Sequence, residues 1–244
     1  MIAGFVVWEG PSAINGMPVV CIVTLKSKNA KIGKIAQVWY LRSDMHPIEA
    51  IQCGADDAVC GNCSLRGING KQRACYVNPL HGATPVWNAW KRGNYPQYDP
   101  AQHAHLLAEK TLRLGAYGEP ICVPLTVQKP IIRAAKHVIG YTHYWNRKRY
   151  QHWAKHLMAS VHSISQRQQA LKLGWRTYRA RLPEQSLVKG EFICPGSTEA
   201  GHRLTCEQCG ACDGASPTKA SPVIVVHGSP SKVIPVITRY TKAA

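Results

Sequence analysis

The 244-residue sequence predicts an α/β fold, a parallel βα-repeat that forms an open sheet or a partial, TIM-like barrel. Three observations predict it. Short β-rich runs alternate with helical stretches through the second half of the chain, and this spacing implies parallel strands joined by right-handed crossovers. Two alternating segments near the N-terminus predict a hairpin. There are two cysteine-rich loops: the loop at residues 53–75 follows the hairpin, and the loop at 194–212 interrupts the repeat as an insertion near the C-terminus.

The predicted elements follow the chain in order. The hairpin pairs "MPVVCIVTLKS" with "GKIAQVWYLRS" across the turn-like "KNAKIG". Helices follow in "TPVWNAWKRG" and "YDPAQHAHLLAEK", the second with Asp99 as N-cap and Pro100 in its first turn. The later strands are "LRLGAY", "HVIGYTH", "HLMASV", "WRTYRAR" and "SPVIVVHG", and the helices between them are "NRKRYQHWAKH" and "SISQRQQALKLG". We expect one domain overall, with the hairpin in 1–45, the repeat in 46–228 and a C-terminal strand or tail in 229–244.

Eight of the ten cysteines fall into two quartets, one in each loop. Their members are Cys53, Cys60, Cys63 and Cys75, and Cys194, Cys206, Cys209 and Cys212. A Cys-x2-Cys turn lets two thiolates converge on one metal. The second quartet packs three sulfurs into C-x2-C-x2-C, which favours an iron–sulfur cluster. The spacing predicts one or two iron–sulfur clusters of the four-iron type, with zinc as the alternative at either site. Cys21 and Cys122 lie in apolar strands and are expected to be buried structural thiols.

The charge balance points to a polyanionic partner. Lys and Arg number 30 against 13 Asp and Glu, which gives a formal net charge of +17. A protein this basic attracts nucleic acid, so DNA or RNA is the expected partner. No apolar run is long enough to span a membrane and no signal peptide is recognised, so we expect no membrane association and a cytoplasmic location. That reducing compartment favours metal binding over disulfides for the cysteines.

The basic residues are densest between Lys129 and Lys189, where Glu184 is the single acidic residue. Within this region "YTHYWNRKRYQHWAKH" interleaves aromatic rings with cations, a composition that suits base stacking and phosphate neutralisation. The predicted nucleic-acid-binding residues are Trp145, Arg147, Lys148, Arg149, Lys155, Arg176 and Arg179. The alternative is an amphipathic helix with its aromatic residues in the core. We expect the aromatic rings to be mostly buried and the cations to bind.

Polar residues follow several of the predicted strands. Functional loops in α/β folds leave the carboxyl ends of parallel strands, so residues that follow different strands are expected to converge. These residues are Tyr117, Glu119, His143, Trp145, His162 and His227. As catalytic candidates we take Tyr117, Glu119, His143 and His162, with the histidines and the tyrosine binding substrate or transferring protons.

The run Gly118-Glu119-Pro120, at the end of a strand that follows a cysteine loop, resembles the glycine–glutamate–proline motif of radical S-adenosylmethionine enzymes. The resemblance implies that Gly118, Glu119 and Pro120 bind the methionine part of S-adenosylmethionine. It also implies that three loop cysteines hold a four-iron cluster whose fourth iron binds the same methionine. The family's usual spacing is C-x3-C-x2-C with an aromatic residue before the last cysteine, whereas here the first gap is six residues and Asn62 precedes Cys63. Cys75 adds a fourth thiolate, which would close the cluster.

A second resemblance covers most of residues 50–228. The blocks "RLGAYGEP", "GYTHYW", "MASV", "GWRTYR", "CPGSTEAGHRLTCEQCGAC" and "VIVVHG" resemble those of a group of phage- and plasmid-encoded cysteine-rich proteins. That resemblance implies a mobile-element origin and a bacterial host cell. The expected function is an iron–sulfur, radical-SAM-like protein that acts on or modifies nucleic acid. The alternative is a non-catalytic nucleic-acid-binding protein in which both four-cysteine sites are structural.

Overall fold

The computed structural model describes residues 2–26, 32–67, 69, 71–214, 219–226 and 228–242. The fold class is α/β, as predicted, and most of the strand pairs are parallel. The chain divides into two compact units. The first holds Met1–Lys28, Lys34–Arg73 and Val77–Val138, and the second holds Asn29–Gly33, Ala74–Tyr76 and Ile139–Ala244. The boundary at Val138 lies inside the segment 46–228 that the sequence suggested as one repeat domain.

The first unit contains four strands in the order of the chain. They are β1 (Gly4–Pro11), β2 (Pro18–Thr24), β3 (Ala36–Arg42) and β4 (Thr111–Tyr117). β1 and β2 are antiparallel, β2 and β3 are antiparallel with Val19 opposite Arg42, and β3 and β4 are parallel. Every residue of β3 is buried, as in a strand covered on both faces. The predicted hairpin corresponds to β2 and β3, and residues 27–31 of its connection lie outside the described residues.

Short helices connect these strands. They are α1 (Pro47–Cys53), α2 (Asp57–Cys60), α3 (Ala83–Lys91), α4 (Pro100–His103) and, after β4, α5 (Leu125–Ala134). The Asp99 side chain accepts a hydrogen bond from the Ala101 amide, so the predicted N-cap is present. α4 is shorter than the sequence suggested and continues as a 3-10 turn over Ala104–Leu106. His103 stacks on Phe5 with ring centroids 5.7 Å apart, which holds the end of α4 against β1.

The second unit contains the remaining strands, and their pairs are parallel. They are β5 (His137–Thr142), which begins at the unit boundary, β6 (Met158–Val161), β7 (Thr177–Arg181), β8 (Glu191–Ile193) and β9 (Ser221–Val225). Their order is β5-β6-β7-β9-β8, so the short strand β8 lies at an edge. Four of the five coincide with predicted strands. The helices of this unit are α6 (Ile164–Lys172), α7 (Cys206–Cys209) and α8 (Pro230–Lys242).

The segment predicted as the helix "NRKRYQHWAKH" forms a 3-10 helix over Lys148–Lys155. Tyr150 and Trp153, three residues apart, are both buried. A 3-10 helix has three residues per turn, so it places these two rings on one face. That face is the buried side of the helix. No helix in the described part of the chain has both the length and the apolar character that crossing a bilayer requires.

Candidate metal and cofactor sites

In the first unit, two segments that the sequence marks as candidate sites come after adjacent strands. Residues 53–63 begin at the end of α1, the helix that follows β3, and Gly118-Glu119-Pro120 directly follows β4, which pairs with β3 in parallel. The carboxyl ends of parallel neighbours meet, which is where α/β folds place ligands. The Glu119 amide donates a 2.6 Å hydrogen bond to the Val59 carbonyl, which joins the two loops. A carboxylate oxygen of Glu119 and the Cys63 sulfur lie within 4.8 Å of each other.

Two glycines shape the end of β4. Gly115 and Gly118 have φ angles of +79° and +83°, in the left-handed region that favours glycine. A Cβ atom on Gly118 would lie 2.9 Å from the Tyr40 Cβ, so a side chain there would collide with β3. On the other side of the loop, the Gln128 side chain donates to the Pro120 and Val123 carbonyls, both at 2.8 Å. The backbone that carries Glu119 is therefore held closely from both sides.

The segment that carries Cys53, Cys60 and Cys63 is organised around a buried carboxylate. Asp56 is nearly inaccessible and forms ion pairs with Arg66 at 2.8 Å and with Arg73 at 3.3 Å. Burial raises the pKa of Asp56, and the two guanidinium groups oppose that shift. Arg66 also donates to the Gly54 carbonyl at 2.7 Å, next to Cys53. These ion pairs, which no spacing in the sequence indicates, order the loop without any cysteine bond.

The four cysteines of the first quartet differ in exposure and in location. Cys60 is buried, Cys63 and Cys75 are half-buried, and Cys53 is exposed. Cys53, Cys60 and Cys63 belong to the first unit, whereas Cys75 belongs to the second. All ten cysteines lie in the described part of the chain, and no disulfide joins any of them. In this part of the chain, no three sulfurs of either quartet all lie within 4.8 Å of one another.

The second quartet lies entirely in the second unit, in loops fixed by backbone hydrogen bonds. Cys194 follows β8, and its amide donates to the Val223 carbonyl of β9 at 2.8 Å. Cys206 and Cys209 are the first and last residues of α7, which begins with a capping box formed by Thr205 and Gln208. The Cys212 carbonyl accepts a 3.0 Å hydrogen bond from the Gly140 amide of β5.

The Cys194 thiol lies in a partly buried environment with several polar neighbours. Burial raises its pKa, and the nearby Cys206 and Cys209 thiols raise it further. Hydrogen bonds from the Gly196 amide and from the Tyr178 hydroxyl act in the opposite direction, because they stabilise the thiolate. Tyr178 on β7 is itself fully buried, and burial raises the pKa of its hydroxyl. No spacing in the sequence indicates this contact between Tyr178 and Cys194.

The predicted catalytic side chains are distributed over the two units. Tyr117 is buried at the end of β4, with the Arg73 guanidinium 6.0 Å from its ring centroid. In the second unit, His143 and His162 follow the parallel neighbours β5 and β6, and their rings stack with centroids 5.8 Å apart. Burial, with a smaller contribution from His143, lowers the pKa of His162 to about 3. His227, also expected at a strand end, lies outside the described residues.

The residues predicted to bind nucleic acid fall into two groups by exposure. Arg147, Lys148, Arg149 and Lys155 are exposed, whereas Trp145 is buried and donates from its indole nitrogen to the Ser160 carbonyl. Arg176 and Arg179 are each only 1% exposed. They form ion pairs inside the second unit, Arg176 with Asp213 and Arg179 with Glu191. Their positions suit a structural role, so only the four exposed cations of this set remain at the surface.

Comparison with known proteins adds no relative: no family model, no curated protein and no solved structure matches the chain.

Proposed function

We propose that this chain is an iron–sulfur enzyme that uses S-adenosylmethionine to act on nucleic acid. Its cofactor centre would be formed by Cys53, Cys60, Cys63 and Glu119. The observation that carries the proposal is the approach of the Glu119 carboxylate to within 4.8 Å of the Cys63 sulfur, in segments that come after two adjacent parallel strands. Thiolates bind iron, and a carboxylate beside them suits the ammonium group of an amino-acid ligand.

The donor set fits such a cofactor centre. Cys53, Cys60 and Cys63 would hold the iron, which when bound supplies an electron to the cofactor. The Glu119 carboxylate would bind the methionine ammonium of the cofactor by a charge-assisted hydrogen bond. Gly118 has no side chain, so the loop can lie against β3. This close packing would hold Glu119 near Cys63. The buried ion pairs of Asp56 support the cysteines in their loop.

Glu119→Gln tests the centre by removing the negative charge while keeping the size of the side chain. Protein purified without oxygen should contain iron and sulfide, and paramagnetic resonance of its reduced cluster should change when S-adenosylmethionine is added. In Glu119→Gln we expect the iron content to persist. The apparent affinity for S-adenosylmethionine, measured from the spectral change, should fall at least about tenfold, because a charge-assisted hydrogen bond is lost.

The exposed carboxylate Glu109 provides the matched control, since Glu109→Gln makes the same chemical change away from the loop. It should respond to the cofactor as the parent does. Absence of iron from the parent protein, or a spectrum that S-adenosylmethionine does not alter, would contradict the proposal.

The nucleic-acid part of the proposal depends on the basic segment, defined as Arg147, Lys148, Arg149 and Lys155. All four side chains are exposed, while Tyr150 and Trp153 between them are buried. The segment therefore exposes its cations to solvent, while its two buried aromatic side chains hold the backbone against the core. Cations arranged in this way bind phosphate groups and release counterions. They would contribute affinity that depends on salt and little on base sequence.

Replacing Arg147, Lys148 and Arg149 together by alanine should weaken binding to duplex or single-stranded nucleic acid. If each cation neutralises one phosphate, the slope of log affinity against log salt should fall by about 2 to 3. Fluorescence anisotropy with labelled oligonucleotides at several salt concentrations measures both quantities.

The control variant changes Lys129, Arg133 and Lys136, which are also exposed, to alanine. It lowers the net charge equally but in the first unit, so it separates local contacts from the overall attraction of a basic protein. Equal losses in the two triple variants would remove the basic segment from the proposal.

The second quartet favours one alternative, a non-catalytic nucleic-acid-binding protein with structural metal sites. Its four candidate ligands are all cysteines, the donor set of closed structural sites, and a capping box and strand-end hydrogen bonds hold the segments that carry them. Under this alternative the protein would bind nucleic acid and metal, and S-adenosylmethionine would change neither the spectrum nor the affinity.

A further inference from the structure

The second unit contains the elements of a metal centre that is separate from Glu119. We propose that Cys194, Cys206, Cys209 and Cys212 bind a thiophilic metal, and that Tyr178, whose ring is fixed by stacking on Tyr141, is a positioning residue that donates a hydrogen bond to the Cys194 sulfur. The ligand is an iron–sulfur cluster or a zinc ion, since both take four thiolates. This centre goes beyond the proposed function, because it needs neither Glu119 nor the cysteines of the first unit.

The segment that carries Cys206, Cys209 and Cys212 is fixed at both ends to other parts of the same unit. At its end, Gly140 of β5 donates to the Cys212 carbonyl, and Arg176, which precedes β7, donates to the Ala211 carbonyl at 2.9 Å. Gly214 packs so closely on Leu157 that a Cβ atom there would lie 2.6 Å from its backbone. At its start, the Glu207 amide donates to the Ile32 carbonyl at 3.2 Å. Hydrogen bonds and packing within the second unit therefore fix the path of this segment.

The local backbone directs these cysteines toward one another. Cys206 and Cys209 are separated by three residues in α7, so they share one face of its single turn. Gly210, in the left-handed conformation with a φ of +59°, ends the turn and redirects the chain toward Cys212. Cys194 reaches this group from the end of β8, close enough for its thiol to interact with those of Cys206 and Cys209.

Tyr178 connects this group to the sheet. Its ring stacks on Tyr141 of β5 with centroids 5.0 Å apart and planes 13° apart, and its hydroxyl lies near the Cys194 thiol. The Tyr141 hydroxyl is hydrogen-bonded in turn to the hydroxyl of Tyr76. The stack fixes the ring of Tyr178, and with it the direction of the hydrogen bond. Groups that donate to a metal ligand in this way orient the ligand and tune the metal.

A hydrogen bond to a ligand sulfur has a measurable effect for either metal. It withdraws electron density from the thiolate, so it raises the reduction potential of an iron–sulfur cluster. For zinc, loss of such an outer partner weakens metal affinity by about 10- to 100-fold. Tyr178→Phe removes the hydroxyl and keeps the ring, whereas Tyr141→Phe keeps the stack and leaves the bond to Cys194 intact. The two variants therefore form a matched pair.

The experiment uses the full-length chain with Cys53, Cys60 and Cys63 changed to serine, so that metal bound at the first unit does not contribute. One sample is reconstituted anaerobically with iron and sulfide, and another is titrated with Co²⁺ as a probe for zinc and then with Zn²⁺ in competition. We expect one centre per chain, seen as a cluster absorption in the first sample or as thiolate-to-cobalt charge transfer in the second. Changing Cys206 and Cys209 to serine should abolish it.

In a chain that keeps Cys53, Cys60 and Cys63, Cys206→Ser with Cys209→Ser should lower the metal content by one centre. Tyr178→Phe should shift the cluster potential to a more negative value, or weaken zinc binding at least about tenfold. Tyr141→Phe should match the parent. The proposal is overturned if neither iron nor zinc binds, if binding survives loss of Cys206 and Cys209, or if Tyr178→Phe behaves as Tyr141→Phe does. None of these measurements uses S-adenosylmethionine, so a failure of this proposal can be told apart from a failure of the proposed function.

Discussion

Glu191→Gln should destabilise the protein by about 3 to 5 kcal/mol, the cost of breaking a buried ion pair by removing one partner. The Glu191 side chain is fully buried and pairs with Arg179 at 2.6 Å and with Arg167 at 3.2 Å. It also accepts a 3.1 Å hydrogen bond from the Val188 amide. A glutamine retains one acceptor oxygen and no charge, so two guanidinium groups would remain in the interior without a counterion.

The measurement is urea unfolding followed by circular dichroism at neutral pH. Domains of this size are typically stable by only about 5 to 15 kcal/mol, so the shift in midpoint should be large. Glu184→Gln, an exposed carboxylate in the same unit, is the matched control and should unfold as the parent does. Adding Arg179→Met to Glu191→Gln should restore part of the loss, because it removes one of the two uncompensated charges. Equal midpoints for Glu191→Gln and Glu184→Gln would contradict this account.

The buried arginines illustrate what the sequence could and could not predict. β7 alternates buried and half-buried residues, so Thr177, Arg179 and Arg181 face inward together. The alternation of residues with a period of two predicts the strand. Arginine is ordinarily a surface residue, however, so the sequence does not predict that the arginines of this strand are buried. Their burial becomes favourable only through acidic partners supplied by later segments, Glu191 for Arg179 and Glu199 for Arg181. The spacing of residues along the sequence does not show which glutamate pairs with which arginine.

The first unit was more predictable, because its candidate site depends on strand order. A cysteine loop after one strand and a glutamate loop after the next must meet if the two strands are parallel neighbours. β3 and β4 are such neighbours, and Cys63 lies beside Glu119. The ion pairs of Asp56, by contrast, join Arg66 and Arg73 from an irregular loop. No hydrophobic period or turn signal specifies where those side chains point.

Local winding was the least predictable feature. The segment Lys148–Lys155 has the composition of an amphipathic α-helix, yet it forms a 3-10 helix. An α-helix and a 3-10 helix both place residues three apart, here the buried Tyr150 and Trp153, on one side, so the hydrophobic spacing does not distinguish the two windings. The three-residue strand β8 was missed for a related reason, since "EFI" is too short to establish a period and its pairing with β9 depends on the fold around it.

His162 should make the stability of the protein depend on pH below neutrality. It is 3% exposed, and burial, together with a smaller effect of His143, lowers its pKa from 6.5 to about 3. Between these two values the unfolded chain binds a proton that the folded chain excludes. The stabilisation is therefore complete above pH 6.5 and is lost as the pH falls, by about 1.4 kcal/mol per pH unit. Between pH 7 and pH 5 this one residue should remove about 2 kcal/mol.

Urea unfolding at half-unit steps from pH 7 to pH 5 measures the slope. In His162→Gln the slope should decrease by the contribution of one proton, because the substituted side chain does not titrate, whatever the variant's stability at pH 7. His105→Gln, which replaces an exposed histidine, should keep the slope of the parent. Identical slopes in the parent and in His162→Gln would mean that His162 accepts a proton in the folded state. Its ring would then be accessible to water, and its burial beside His143 could not supply the dry environment that lowers its pKa.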